Sequence, residues 1–149
     1  MPHIYVTAPE GALNKTEQDA LMTQISNAVL TSERAPLDHV GAQSLVWAYY
    51  VEQPSGSIYV GGENLEKAPF RIAVTTPEGA LNDVTRKELV EAIGSIVDDI
   101  VGPYEDRLNQ WTMLYELDEG GWAGSGQIFP LAGIQAAMGI QPIEDVKAA

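Results

Sequence analysis

Apolar and polar positions alternate from Pro2 to Ala8, with Ile4 and Val6 on one side and Tyr5 and Thr7 on the other. That period of two predicts a strand. Pro9-Glu10-Gly11 breaks it, and Asn14 followed by Glu17 has the spacing of a helix capping box. Leu21, Ile25, Ala28 and Val29 then recur at helical spacing, so an amphipathic helix is expected over about Thr16 to Thr31. Ser32 to Pro36 ends it, because the residue before a proline avoids the helical region. A loop through Asp38, His39 and Gly41 follows. The run Leu45 to Val51 is aromatic and β-branched, which predicts a strand covered on both faces. Gln53 to Gly56 reads as a turn, and Ser57 to Val60 as a short further strand closed by Gly61-Gly62.

The pattern then starts again. Pro9-Glu10-Gly11-Ala12-Leu13-Asn14 recurs 68 residues later as Pro77-Glu78-Gly79-Ala80-Leu81-Asn82. Phe70, Ile72 and Val74 repeat the first strand. Thr85 and Glu88 offer a second capping box, and Leu89, Ile93, Ile96, Val97 and Ile100 a second helical stripe. Gly102-Pro103 stops that helix. Trp111 to Leu117 matches the apolar strand, and Gly121 to Gly126 matches the glycine-closed segment. A repeat of this kind fixes the architecture before any residue-level reading. Each half is strand–helix–strand, so its two strands lie parallel. Joined edge to edge, the halves give an α+β fold: a four-stranded mixed sheet with both helices on one face. The expected division is one domain over 1–126, made of repeats 1–68 and 69–126, with 127–149 as a packing tail that includes a short helix from Ile134 to Met138. The bare face keeps Trp47, Tyr49 and Trp111, which predicts burial against another subunit.

Composition adds exclusions. A chain of 149 residues with 45% hydrophobic and 19% charged residues is globular. The net charge of −13 repels nucleic acid and anionic membrane, and no apolar run is long enough to span a bilayer. Cysteine does not occur, which removes disulfides and thiolate chemistry and fits a cytoplasmic protein. The start of the chain lacks the basic and apolar segments of a signal peptide. No phosphate loop, paired-histidine metal spacing or Ser-His-Asp pattern is present, so no metal and no cofactor are expected.

A duplicated β-α-β unit, each copy with a glutamate in its second strand (Glu52, Glu116) and a glycine-rich hairpin, with proline at position two, resembles the tautomerase superfamily. It is most similar to the fused two-unit branch that holds 4-oxalocrotonate tautomerase-like fusions, malonate semialdehyde decarboxylase and cis-3-chloroacrylic acid dehalogenase. The resemblance implies a tautomerase/MIF-like fold, a homotrimer, removal of Met1, and Pro2 as catalytic base or acid on a small keto/enol or unsaturated acid. The chemistry is sound. A terminal proline nitrogen is a secondary amine, and an apolar pocket disfavours its charged form, so it can exchange protons near neutrality. The internal Pro69 has only an amide nitrogen. Asp38 matches an aspartate of the decarboxylase branch and is the second catalytic candidate.

The resemblance has departures. Ala12 and Ala80 stand where the family has an arginine after the helix-opening glycine. Trp47 and Trp111 stand at its second arginine, and Ile58 and Trp122 at its hairpin aromatic. Thr76 to Leu81 holds no arginine pair. Arg71, with Arg34 the nearest remaining arginine, is then the candidate anion contact. Trp47, Trp111, Trp122 and Tyr115 are the candidate substrate-binding aromatics, suited to a less charged, aromatic or enol substrate. His3 points away from Pro2 on an alternating strand, and His39 reads as a solvated loop residue. Two other readings stand beside the enzyme: a non-catalytic small-molecule-binding member of the fold, and a ferredoxin-like dimeric α+β barrel in which Pro2 has no role.

Overall fold

The computed structural model describes residues 2–141. Its elements run β1 (His3–Pro9), α1 (Lys15–Ser32), α2 (Val40–Leu45), β2 (Trp47–Gln53), β3 (Tyr59–Val60), β4 (Glu63–Asn64), β5 (Phe70–Pro77), α3 (Asp83–Ile100), β6 (Gln110–Leu117), β7 (Ala123–Gly124), β8 (Gln127–Ile128) and α4 (Leu131–Ala137). The main sheet has the order β2-β1-β5-β6. β1 lies parallel to β2, and β5 parallel to β6, while β1 and β5 meet antiparallel with Val6 opposite Ile72. The two halves therefore join edge to edge. The ferredoxin-like barrel does not have this order of two parallel pairs about an antiparallel joint.

The repeated hexapeptide is the strand-to-helix turn. Pro9 and Pro77 are the last residues of their strands, and their carbonyls accept the N–H of Ala12 and Ala80 at 3.1 Å. Gly11 and Gly79 take φ of 74° and 87°, the left-handed region where a Cβ is penalised. Leu13 and Leu81 then bury, and Asn14 and Asn82 cap α1 and α3. Asn14 and Glu17 form the expected reciprocal box, at 2.8 and 3.0 Å. The second cap differs from expectation. It is Asn82 with Thr85, three residues before the Thr85–Glu88 pair, because the repeat carries its cap inside the hexapeptide.

Both long helices cover one sheet face. Ile4, Val6, Ile72 and Val74 meet Leu21, Ile25 and Val29 of α1 and Leu89, Ile93 and Val97 of α3 in one core. The opposite face carries Tyr5, Tyr49, Trp47, Trp111 and Tyr115. Trp47 is 58% and Trp111 66% exposed, so β2 is an edge strand open on one face rather than one covered on both. Its run reads as continuous because its exposed side is aromatic.

The halves differ at one end. The loop expected from Asp38 to Gly41 contains the start of α2, for which the second half has no counterpart. Beyond the hairpin of β7 and β8, α4 packs on this addition. Leu30, Ala35 and Ala42 share a second cluster with Ile134, Met138 and Ile140. The contact is close: a Cβ on Gly41 would lie 2.0 Å from the Ala137 carbonyl oxygen, and one on Gly139 would meet the His39 ring. Residues 142–149 of the expected tail lie outside the described residues.

Candidate functional site

Pro2 is buried at the start of β1, and its carbonyl accepts the Trp47 N–H at 3.2 Å. β1 and β2 are parallel, so both begin at this end of the sheet. β6 ends at the same end, because β5 runs antiparallel to β1 and β6 follows β5. The chain after β6 is thereby delivered beside Pro2. The β7–β8 hairpin and α4 roof a cavity of about 680 Å³ over it. Trp47, Trp122, Phe129, Leu45 and Ile134 supply most of the wall, with His3 and Ser125 as its polar side chains. Among the described residues no lysine, arginine, aspartate or glutamate lines it. An apolar, low-dielectric cavity favours an uncharged or aromatic ligand.

Of the residues singled out in the sequence, the fold brings Pro2, Trp47 and Trp122 together. Trp47 is held by its indole N–H, which donates to the Ser44 carbonyl at 3.0 Å. The indole nitrogen of Trp122 is buried with no partner among the described residues. Asp38 is exposed on the loop before α2 and does not line the cavity. Its neighbour His39 is not a solvated loop residue. It caps α2, its Nδ1 accepting the Ala42 N–H at 3.2 Å. Arg71 sits on the open face opposite Thr7, five residues along β1 from Pro2 and so about 16 Å away. It donates to the Tyr115 hydroxyl at 3.3 Å, and Trp111 is its neighbour on β6. Arg71, Trp111 and Tyr115 thus belong to the helix-free face and not to this chain's own cavity. His3 lies on that face too, 5.1 Å from the Tyr49 ring, yet it also reaches the cavity rim. Glu116 is taken up by an ion pair with Arg86 in the first turn of α3.

The residue missed in the sequence is Glu33, the C-cap of α1. It is 2% exposed, and neither carboxyl oxygen has a hydrogen-bond partner among the described residues. Burial pushes it up from 4.5 to about 7, opposed by the positive N-terminus of the chain. The signal was present: the stripe Leu21, Ile25, Val29 steps by four onto position 33. The raised value has a stability consequence. Unfolded, Glu33 releases its proton near pH 4.5; folded, it holds that proton to about pH 7. Its contribution is therefore full below pH 4.5 and is lost as pH rises to 7, roughly 3 kcal/mol across the window. Glu33→Gln is expected to flatten that part of the stability–pH curve in chemical denaturation. A variant that keeps the wild-type slope from pH 4.5 to 7 would show that Glu33 is ionised throughout.

No family profile matches the chain, and no curated protein does. Solved structures do. A fused 4-OT chain designated F6, solved as an asymmetric trimer, superposes with TM-score 0.71 at 19% identity, over 85% of this chain and 94% of that one. Pt0534, solved after inactivation by 2-oxo-3-pentynoate, gives 0.70 at 22%, over 85% and 94%. N1, a member of the cis-3-chloroacrylic acid dehalogenase family, gives 0.72 at 16%, over 90% and 87%.

Proposed function

We propose that this chain, which has the fold of the fused two-unit tautomerases, loses Met1 and uses the Pro2 nitrogen to move protons on an enolisable carbonyl compound with an aromatic or otherwise apolar body. The observation that carries the reading is the placement of Pro2: buried, at the floor of an aromatic-walled cavity to which the described residues bring no lysine, arginine or carboxylate. A secondary amine there takes a proton from the carbon beside the carbonyl and returns it at the carbon or at the enol oxygen. The solved relatives add support, since Pt0534 is inactivated by 2-oxo-3-pentynoate and F6 is a trimer. The exposed aromatics of the helix-free face, Tyr5, Tyr49, Trp47, Trp111 and Tyr115, suit a homotrimer here as well. In that reading Arg71 and Tyr115 serve the contact between copies, and Asp38 has no part in the proton transfer.

The test is deuterium uptake at the carbon beside the carbonyl of aryl-substituted enolisable ketones and 2-keto acids, followed by NMR. Uptake well above buffer is expected, together with an adduct of 2-oxo-3-pentynoate on the peptide that begins with Pro2. One observation favours a second reading: among the described residues no lysine or arginine lines the cavity to hold a carboxylate. Uptake at the buffer rate with tight binding of aryl ligands would establish that alternative, a binding member of the fold without proton chemistry.

A further inference from the structure

Glu33 has a counterpart, and the counterpart is not acidic. Position 33 answers position 101 in the repeat, and Glu33 and Val101 are the C-caps of α1 and α3. The fold therefore accepts an aliphatic side chain at this place, as it does in the second half. In the first half it buries a carboxylate with no hydrogen-bond partner among the described residues, which is costly unless something else answers the charge.

What distinguishes the two ends is the chain's N-terminus. α1 runs back along β1 and β2, so its last turn stands over the end where β1 starts, with Pro2. Leu30 and Ala35, on either side of Glu33, share a cluster with Ile134 and Leu45, and both of these line the Pro2 cavity. The elements packed here offer few other charges. α2, α4 and the β7–β8 hairpin carry no ionisable side chain. Arg34 and Asp38 are exposed, His39 is committed to the α2 cap, and His3 is on the strand at the cavity rim. The positive charge at the start of the chain, carried by Met1 and passing to Pro2 once Met1 is removed, draws the Glu33 carboxyl back toward its ionised form.

We propose that Glu33 is the buried counter-charge of the Pro2 nitrogen, the two groups holding one proton between them behind the cavity wall. Glu33 is then a positioning residue: it keeps the proline protonated to higher pH, so that the nitrogen can donate as well as accept. This rests on the reading that Pro2 becomes the free N-terminus, and it deepens that reading by naming what sets the nitrogen's charge.

The test is an NMR titration of the Pro2 nitrogen and of the Glu33 carboxyl carbon in protein whose intact mass shows loss of Met1. The Glu33 signal is expected to show a second inflection at the pH where Pro2 titrates. In Glu33→Gln and Glu33→Val the Pro2 nitrogen is expected to lose its proton about one pH unit lower, a tenfold change. Valine is the residue of the second repeat, so it preserves packing where glutamine fails to, and the wild-type Glu33 signal decides the matter even if neither variant folds. A Glu33 signal blind to Pro2, or a Pro2 titration unchanged in a folded variant, overturns the pair. A chain that keeps Met1 overturns both the pair and the proline reading. Deuterium uptake without coupling overturns the pair alone, and coupling without uptake overturns only the proposed activity.

Discussion

Pro2→Ala is expected to lower ketone deuterium uptake by about 10²- to 10⁴-fold, the usual worth of a placed general base. The fold should not notice. Proline contributes no N–H at this position, and the hydrogen bond that anchors it runs from the Trp47 N–H to its carbonyl, which alanine keeps. Alanine also leaves a free terminal amine once Met1 is gone. The loss therefore measures what the secondary amine and its ring add, and the residual rate measures what a primary amine does in the same cavity. Uptake kinetics beside a thermal melt make the check. A rate within twofold of wild type would remove Pro2 from the chemistry.

Gly41→Ala is expected to cost about 3 kcal/mol or more, the upper end for overpacking a closed contact. An added Cβ meets the Ala137 carbonyl oxygen at 2.0 Å and the His39 ring at 3.0 Å. The nearer obstacle is backbone, so no rotamer change relieves it, and α4 must lift away from α2. That helix brings Gly133, Ile134 and Ala137 to the cavity wall, so ligand affinity should fall with stability. Gly94→Ala is the control. Gly94 lies within α3 with nothing within 4 Å of the added carbon, and alanine there should be neutral or stabilising by up to about 1 kcal/mol. Denaturant unfolding of the two variants decides: similar midpoints would mean that α4 is not seated as described.

Much of this architecture was written in the chain. A hexapeptide that must end a strand, turn through a left-handed glycine and cap a helix can recur only if the fold recurs, and the sheet order follows from that duplication. Pro2, Trp47 and Trp122 were legible as candidates through family resemblance. The rest was hidden for physical reasons. Six residues of α2 bury a single alanine, so no apolar stripe announced them. Glu33 continues the α1 stripe by position but looked by type like the polar end of a helix, and only tertiary packing makes it interior. Arg71, Trp111 and Tyr115 were attractive by residue type, yet strand register places them on the open face, which no local pattern reveals. Part of the roof over Pro2, Phe129 and α4, comes from residues beyond the repeat, which have no counterpart in the first half.

The placement of the tryptophans has an optical consequence. None belongs to the buried core, whose largest aromatic is Phe70. Trp47 and Trp122 line the cavity, and Trp111 lies on the helix-free face. Intrinsic emission from this protein is therefore a reporter of cavity occupancy and of contact between copies. A quench or blue shift on adding a compound speaks of binding or assembly, while loss of the fold itself is better followed through the circular dichroism of α1 and α3.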